Sequence, residues 1–389
     1  MINELLPTLT PKIAALRRDL HAHPELAFDE RRTAEKVAAH LEALGLEVHR
    51  GIARTGVVAR LSAGTGTRAI GLRADMDALP LQELNSFPHH SVHPGRMHAC
   101  GHDGHTAMLL GAAEALTTLR GFDGTVYFIF QPAEEHEGGG RAMVEEGLFE
   151  RFPMEMVFGL HNWPGLAAGS FAVVDGPVMA GADRFEIVLT GRGGHAAMPH
   201  QAADVVVAGS ALVQAAQTLV SRNTDPLQAA VVSVTRFQAG HADNVLPESA
   251  VLGGTVRTLS GDLQDRLEAG LRRVCAGIEA TYGVGVELRY ERGYPPTVNA
   301  PDPSFIAREV ARQVAGDGQV HIDLAPSMGA EDFAYMAQVV PGCYAWLGNG
   351  PGEGGCLLHS PHYDFNDAVI PTGIRYWVRL VERTLAPAA

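Results

Sequence analysis

The sequence predicts an α/β fold in which helices flank a mixed, largely parallel sheet, with a smaller βαββαβ segment inserted into it. Strand and helix patterns alternate over residues 11–163, whereas residues 182–295 follow a different order of elements. The composition agrees, because 46% of the 389 residues are hydrophobic and only 19% are charged, a balance that is typical of a globular chain.

The first segment alternates apolar strands with helical patterns. The N-terminus has the pattern of an amphipathic helix, and Gly45 closes a second helix. Strands alternating with helices favour a sheet that is covered on both faces. We expect helices at 11–23, 30–44, 104–119 and 140–149, and strands at 56–61, 68–76, 124–135 and 156–163.

The inserted segment has the order strand, helix, strand, strand, helix, strand, which is the split βαβ unit of ferredoxin-like folds. We expect strands at 184–191, 228–240, 248–259 and 284–293, and helices at 201–222 and 262–282. A Pro-rich linker follows, and a helix at 303–315 returns the chain to the first segment. We therefore predict two domains. The first combines residues 1–181 and 296–389, and the second, inserted domain comprises residues 182–295.

Charge, hydropathy and cysteine spacing exclude several classes of protein. The net charge of −14 argues against a nucleic-acid partner, which needs clustered Lys and Arg. No apolar run approaches the ~20 residues of a membrane-spanning helix. The four cysteines (Cys100, Cys275, Cys343 and Cys356) have neither CxxC nor framework spacing. We expect reduced cysteines and a cytoplasmic protein.

Acids and histidines follow the predicted strands. In open α/β sheets ligands bind at the carboxyl ends of strands. Asp75 and Asp77 lie at one such end, the pair Glu134 and Glu135 at a second, and His161 at a third. Random surface charge does not predict this placement, so a functional site is expected at this edge.

Thiol and imidazole groups that could bind a metal ion lie in the same part of the sequence as these acids. Cys100 and His102 are two residues apart and could bind one metal site, and the adjacent glutamates are placed as one ligand and one base would be. Five donors of mixed S, N and O character suit two cations that share a bridge better than a four-coordinate structural zinc. These donors come from Cys100, His102, one of Glu134 and Glu135, His161 and His359.

Other chemistries remain open from the residues alone. Cys100 beside a histidine could be a nucleophile, although that hypothesis leaves the separate acids and histidines without a role. The absence of a Gly-x-Ser-x-Gly elbow weakens serine hydrolysis. His98 and His105 could be ligands but more often such residues support ligands. His21 and His23, which precede a proline, are expected to shape a loop near the site.

Nine stretches together resemble the amidohydrolase branch of the aminoacylase/carboxypeptidase metallopeptidase family, the branch of hippurate hydrolases, N-acyl-amino-acid amidohydrolases and indole-acetyl-amino-acid hydrolases. They span residues 19 to 367, and Cys-Gly-His-Asp-Gly-His and Pro-Ala-Glu-Glu are the most specific. The stretches are DLHAHPELAFDE, RADMDALPLQE, MHACGHDGHTAMLLGAA, FQPAEEHEGGGRAMVEEG, GLHNWP, GRGGHAAMPHQAADVV, DNVLPESAVLGGTVRT, SMGAEDFA and LHSPHYDFND.

The resemblance implies a zinc-peptidase-like domain that is interrupted by a ferredoxin-like lid and holds two divalent metal ions. It implies Glu134 as the general base, the lid residue His195 as the oxyanion donor, and the lid residues Asn244 and Arg257 as the grip on the substrate carboxylate. Asp77 matches an orienting Asp, and Asp75 stands where many relatives have a ligand His, so neither is placed among the ligands. The implied ligands are Cys100, His102, Glu135, His161 and His359.

The function implied by the resemblance is hydrolysis of the amide bond of N-acyl amino acids. Zinc is the expected metal, with manganese, cobalt or nickel as alternatives. A dipeptidase or carboxypeptidase with the same metal site, or a catalytically silent binding protein, would share the motifs. The expected partners are a small-molecule substrate and copies of the same chain in a homodimer or homotetramer, in which the His195 of one chain could serve the site of another. Neither a nucleic acid nor a membrane is expected.

Overall fold

The structure, a computed structural model, describes residues 1–351 and 357–387. The chain forms two compact units. The first unit comprises Met1–Gly176, Val298–Ala325 and the chain from Asp332 onward, and the second unit comprises Pro177–Thr297 and Pro326–Glu331. Each unit has its own hydrophobic core.

The α-helices and strands of the described residues are numbered in chain order. The helices are α1 (Ile2–Ala22), α2 (Arg31–Ala43), α3 (His102–Leu119), α4 (Gly139–Glu145), α5 (Leu148–Arg151), α6 (Val205–Ser221), α7 (Gly261–Tyr282), α8 (Pro301–Ala315), α9 (Phe333–Val339) and α10 (Ile370–Thr384). The strands are β1 (Glu47–Ile52), β2 (Gly56–Ala63), β3 (Ala69–Asp75), β4 (Gly124–Gln131), β5 (Met156–Pro164), β6 (Phe171–Ala172), β7 (Gly176–Met179), β8 (Gly181–Thr190), β9 (Gly194–His195), β10 (Ala230–Ala239), β11 (Val245–Leu246), β12 (Ser249–Thr258), β13 (Gly285–Tyr294), β14 (Thr297–Asn299), β15 (Val320–His321) and β16 (Gly342–Gly350).

The first unit is built on an eight-stranded sheet in the order β1-β2-β4-β3-β5-β16-β6-β15. Its centre, from β4 to β16, is parallel, whereas β1 and β2 add antiparallel pairs at one side. The predicted mixed sheet flanked by helices is confirmed. Because β4, β3 and β5 run in the same direction, their carboxyl ends meet at one edge, where the candidate residues lie.

Helices pack on both faces of this sheet. Phe158 of β5 joins the core with α3, whereas an added Cβ at the next residue, Gly159, would meet the Phe333 ring of α9 at 3.4 Å. Successive strand residues point to opposite faces, so α3 and α9 cover opposite sides. Helices α1 and α10 pack against α3, which is buried over most of its length.

The structure differs from the sequence prediction at several elements of the first unit. Helix α1 begins at Ile2 rather than residue 11 and continues through Pro7 and Pro11. An apolar stripe at helical spacing is buried along it, and packing of that stripe overrides the helix-breaking effect of proline. Strand β16 and helix α10 were not predicted, and His161 lies inside β5 rather than at its end.

The second unit has the βαββαβ order in its main elements, β8-α6-β10-β12-α7-β13. Its four strands form an antiparallel sheet in the order β10-β12-β8-β13. The β8 residues alternate between buried and more exposed positions, as expected of a strand with one face against helices. Asp204 caps α6 by accepting from the backbone N–H groups of Val206 and Val207.

Within the described residues, none of the helices combines the length and the apolar character needed to cross a membrane. Cys100, Cys275 and Cys343 are buried free thiols, and Cys356 lies outside the described residues. Burial raises the pKa of Cys275 to about 11 and that of Cys343 to about 12. Such thiols carry little thiolate at neutral pH, which is typical of cysteines that serve packing.

Candidate metal centre

The first group of candidate donors lies where α3 begins beside β5. The Sγ of Cys100 is 3.4 Å from Nε2 of His161, and one donor atom from each of Cys100, His102 and His161 lies within 4.8 Å of the others. Gly101 between them has φ +90°, and an added Cβ there would lie 2.2 Å from Nδ2 of Asn162. The tight turn that aims Cys100 and His102 at one point therefore requires glycine.

The ring of His161 is oriented by its neighbour. Its Nδ1–H donates to the carbonyl oxygen of Asn162 at 2.6 Å, which leaves the Nε2 lone pair directed toward Cys100. Burial holds the pKa of His161 well below its usual range. A neutral imidazole with a free Nε2 is the form that binds a cation.

Asp77 orients two candidate residues at once. One of its oxygens accepts from Nδ1–H of His102 at 3.1 Å, and the other accepts from the backbone N–H of Glu135 at 3.0 Å. Nε2 of His102 is then buried with no hydrogen-bond partner. Burial acts to lower the pKa of His102, but the Asp75 carboxylate, together with Asp77, raises it to about 10. The local field therefore favours a positive charge beside His102.

A second group of donors overlaps the first through Cys100. Oε1 of Glu135 is buried without a hydrogen-bond partner, 3.9 Å from Nε2 of His102 and 3.4 Å from Nε2 of His359. Cys100, Glu135 and His359 form one close group, and His102, Glu134 and Glu135 form another. The structure therefore brings together all five predicted ligands and the predicted base, which could hold more than one cation.

Asp75 and His105 are satisfied by other protein groups. The Asp75 carboxylate pairs with Nη1 of Arg73 at 2.6 Å and accepts from Nδ1–H of His105 at 2.6 Å. His105 Nε2 accepts from the backbone N–H of Asn162 at 2.9 Å. Both His105 nitrogens are thus engaged, and the residue supports the site rather than offering a free donor atom.

Sequence reasoning missed Arg73 and Asp332, which form an ion pair close to the candidate ligands. Nη2 of Arg73 lies 3.0 Å from Oδ1 of Asp332, and that oxygen also accepts from Nε2 of Gln131 at 2.6 Å. The second oxygen of Asp332 accepts from the backbone N–H of Gly140 at 2.7 Å. Asp332 lies in the quoted stretch SMGAEDFA, but nothing local in the sequence pairs it with Arg73.

Histidines near the site have separate environments. His21 is buried, with Nδ1 2.8 Å from Oδ2 of Asp103 and Nε2 3.2 Å from Oε1 of Glu83. Burial acts to lower its pKa, but Asp103 and Glu83 raise it to about 9. Burial lowers the pKa of His98 to about 4, and neither of its ring nitrogens has a hydrogen-bond partner.

The second unit brings only two of its three predicted residues together. His195 on β9 pairs with Val245 on β11, and the backbone N–H of Ala196 donates to the carbonyl oxygen of Asn244 at 3.0 Å. Arg257 lies near the far end of β12, eight residues after Ser249, which is roughly 26 Å at 3.3 Å per residue. Within one chain, Arg257 is therefore distant from the beginning of β12, near which His195 and Asn244 lie.

Comparison with known proteins gives consistent matches over nearly the whole chain. The model of peptidase family M20/M25/M40 matches residues 71–383. The hippurate hydrolase of Campylobacter jejuni is 40% identical over 385 residues, which are 99% of both chains. The N-acyl-L-amino acid amidohydrolase of Geobacillus stearothermophilus is 45% identical over 301 residues, 77% of this chain and 80% of that one. A dinuclear metal-binding peptidase of the M20 family from Bacillus subtilis has a TM-score of 0.84 and 35% identity, covering 97% of this chain and 99% of that one.

Proposed function

This chain belongs to peptidase family M20/M25/M40, and on that premise we propose that it is a metal-dependent amidohydrolase that cleaves the amide bond of N-acyl amino acids. The products are a carboxylic acid and a free amino acid. The observation that carries the proposal is the buried cluster at the edge of the first unit's sheet, where thiol, imidazole and carboxylate donors converge. The hippurate hydrolase and amidohydrolase relatives support the substrate class.

The donor set fits two divalent cations. Nε2 of His102 and Oε1 of Glu135 are buried without hydrogen-bond partners, and burying such atoms is unfavourable unless something binds them. Cys100, His102 and Glu135 each belong to more than one of the close donor groups, so the groups overlap as two neighbouring cation sites would. Thiolate and imidazole suit zinc, and the carboxylate also suits manganese, cobalt or nickel. The ligands in this proposal are Cys100, His102, Glu135, His161 and His359.

Glu134 is the general base of the proposal. Divalent cations at this edge would supply an acidified water and polarise the acyl carbonyl. The Glu134 side chain is buried beside Glu135 and belongs to the same donor group as His102. Its carboxylate takes a proton from the attacking water and returns it to the nitrogen of the leaving amine. Asp77 contributes by holding the ring of His102 and the backbone of Glu135.

The proposal also assigns substrate contacts to three residues of the second unit. His195 donates to the developing oxyanion, and Asn244 and Arg257 hold the free carboxylate of the substrate, Arg through its two-pronged guanidinium. His195 lies close to Asn244, whereas Arg257 lies near the opposite end of β12. One substrate can therefore contact all three only if Arg257 comes from one chain and His195 and Asn244 come from another. We therefore propose a homodimer or homotetramer with composite sites. Mixing Glu134→Gln with His195→Ala should then recover activity after subunit exchange, whereas no recovery after confirmed exchange would assign His195 to its own chain.

A substrate panel tests the proposed function. Hippurate, N-acetyl amino acids, indole-acetyl amino acids and dipeptides are assayed with the metal-free protein reconstituted separately with zinc, manganese, cobalt and nickel. We expect metal-dependent release of free amino acid from at least one N-acyl amino acid. Dipeptides as the only cleaved class would favour the dipeptidase alternative, and absence of hydrolysis with metal bound would favour a silent binding protein.

A further inference from the structure

The loop that carries Glu134 and Glu135 contains a residue in an unfavourable backbone conformation. Ala133 has φ +54° and is completely buried. An L-residue in the left-handed region is disfavoured by about 1–2 kcal/mol, because its Cβ approaches the following carbonyl oxygen. Alanine has no polar side chain that could relieve this, so the surroundings must hold the conformation.

Two hydrogen bonds hold Ala133 on either side. Its carbonyl oxygen accepts from the backbone N–H of Gly139 at 3.0 Å, which closes the loop on itself. Its N–H donates to Oε1 of Glu30 at 2.8 Å. Glu30 reaches across 103 positions of the sequence to make this contact. The flanking parts of the loop are held by other carboxylates, since Asp77 accepts from Glu135 N–H and Asp332 from Gly140 N–H.

Glu30 is itself firmly placed. It has no solvent exposure, and its second oxygen accepts from Oγ1 of Thr55 at 2.6 Å. Its backbone stands at the start of α2, where its carbonyl oxygen accepts from the N–H of Ala34. The side chain therefore connects a helix terminus and a strand turn to the loop that bears the proposed base.

We propose that Glu30 is a positioning residue for hydrolysis, which keeps Ala133 in the left-handed conformation and so sets the direction of the Glu134 side chain. This rests on the proposed role of Glu134 as the base. The dihedral angles of Ala133 determine where the next Cα–Cβ bond points, and a displacement of about 1 Å at a catalytic group can lower turnover about 100-fold. Glu30 does not touch the reacting atoms, so it acts only through the loop.

The hydrogen bonds rather than the charge carry this role. A glutamine at position 30 could accept from Ala133 N–H with its carbonyl oxygen and donate to Thr55 with its amide nitrogen. A methionine would fill the same space but would leave the Ala133 N–H without an acceptor. Glu25 offers a matched control, because its carboxylate accepts from the backbone N–H groups of Arg32 and Thr33 at the same helix start rather than from Ala133.

The experiment compares Glu30→Met, Glu30→Gln and Glu25→Met in the full-length, metal-loaded protein, using the best substrate of the panel. We expect Glu30→Met to lower kcat about 10–100-fold with KM changed less than about twofold, as for loss of catalytic geometry without loss of binding. Glu30→Gln should stay within about threefold of the parent kcat, because its hydrogen bonds persist. Glu25→Met should leave kcat unchanged. Bound metal is measured in every sample.

Two further measurements separate positioning from general destabilisation. Hydrogen exchange of the peptide covering residues 131–140 should accelerate in Glu30→Met but not in Glu25→Met. Adding Ala133→Gly to Glu30→Met should restore part of the lost kcat, because glycine adopts positive φ without strain. Equal losses of kcat in Glu30→Met and Glu25→Met, or unchanged exchange in Glu30→Met, would overturn the proposal. If the parent hydrolyses no N-acyl amino acid, the proposed function fails, and the exchange comparison still tests whether Glu30 holds the loop.

Discussion

The buried carboxyl of Glu30 gives the fold a pH dependence that can be calculated. Burial, with a further contribution from Asp77, raises its pKa from 4.5 to about 7. The folded protein therefore keeps a proton that the unfolded chain has already released, and stability falls as the pH rises from about 4.5 through about 7. The difference of about 2.5 in pKa, at 1.36 kcal/mol for each unit, corresponds to about 3 kcal/mol.

Glu30→Gln removes this dependence because an amide does not titrate. Between pH 5 and pH 8, the free energy of unfolding of the variant should rise relative to the parent by about 2–3 kcal/mol. The free energy of unfolding is measured by urea titration of the parent and the variant at both pH values. A chelator keeps both proteins free of metal, and Glu25→Gln serves as the control. The control carboxylate accepts from backbone N–H groups at a helix start, so its neutralisation should produce no such gain. The same difference between variant and parent at both pH values would refute the reasoning.

Three other substitutions, the last paired with a control substitution, test separate parts of the structure. Cys100→Ala should lower bound metal per chain, measured by mass spectrometry; full metal with loss of a covalent acyl-enzyme would favour a cysteine nucleophile. Asp77→Asn should weaken metal affinity about 10–100-fold by releasing the ring of His102, as measured by chelator competition, and unchanged affinity would contradict that role. Gly104→Ala should lower the free energy of unfolding by about 1–3 kcal/mol, because the added Cβ would lie 2.3 Å from a buried phenylalanine ring. Gly277→Ala, on an open helix face, should instead stabilise by up to about 1 kcal/mol, and equal effects of the two glycine substitutions would contradict the packing argument.

Local patterns were sufficient for most of the fold. The βαββαβ order of the second unit was predicted from its succession of strand and helix patterns, and the main elements of the structure have that order. Strand β16 has no such pattern, because every residue of Gly342–Gly350 is buried and two neighbouring strands cover its edges. Periodicity alone cannot distinguish a strand from a buried helix segment in a short, wholly buried run. The start of α1 was misjudged because tertiary packing outweighs its prolines.

Residue chemistry and the resemblance together placed the candidate ligands, whereas the residues that support them could not be read from spacing. Cys100 and His102 are close in sequence, so their proximity in space was predictable. The partners of Asp332 and Glu30 lie 259 and 103 positions away, at Arg73 and Ala133, and only the folded chain joins them. The positive φ of Ala133 also leaves no mark in the sequence, since alanine gives no reason to expect it.

The most direct test of the proposed function is the metal content and turnover of Glu134→Gln, measured on the same samples with the best N-acyl amino acid of the panel. The amide keeps the size of the side chain and cannot accept the proton of the attacking water. We expect the variant to bind as much metal as the parent while kcat falls by about 100-fold or more. Near-parental turnover with full metal would contradict the assignment of Glu134 as the base, and with it the mechanism proposed for this site.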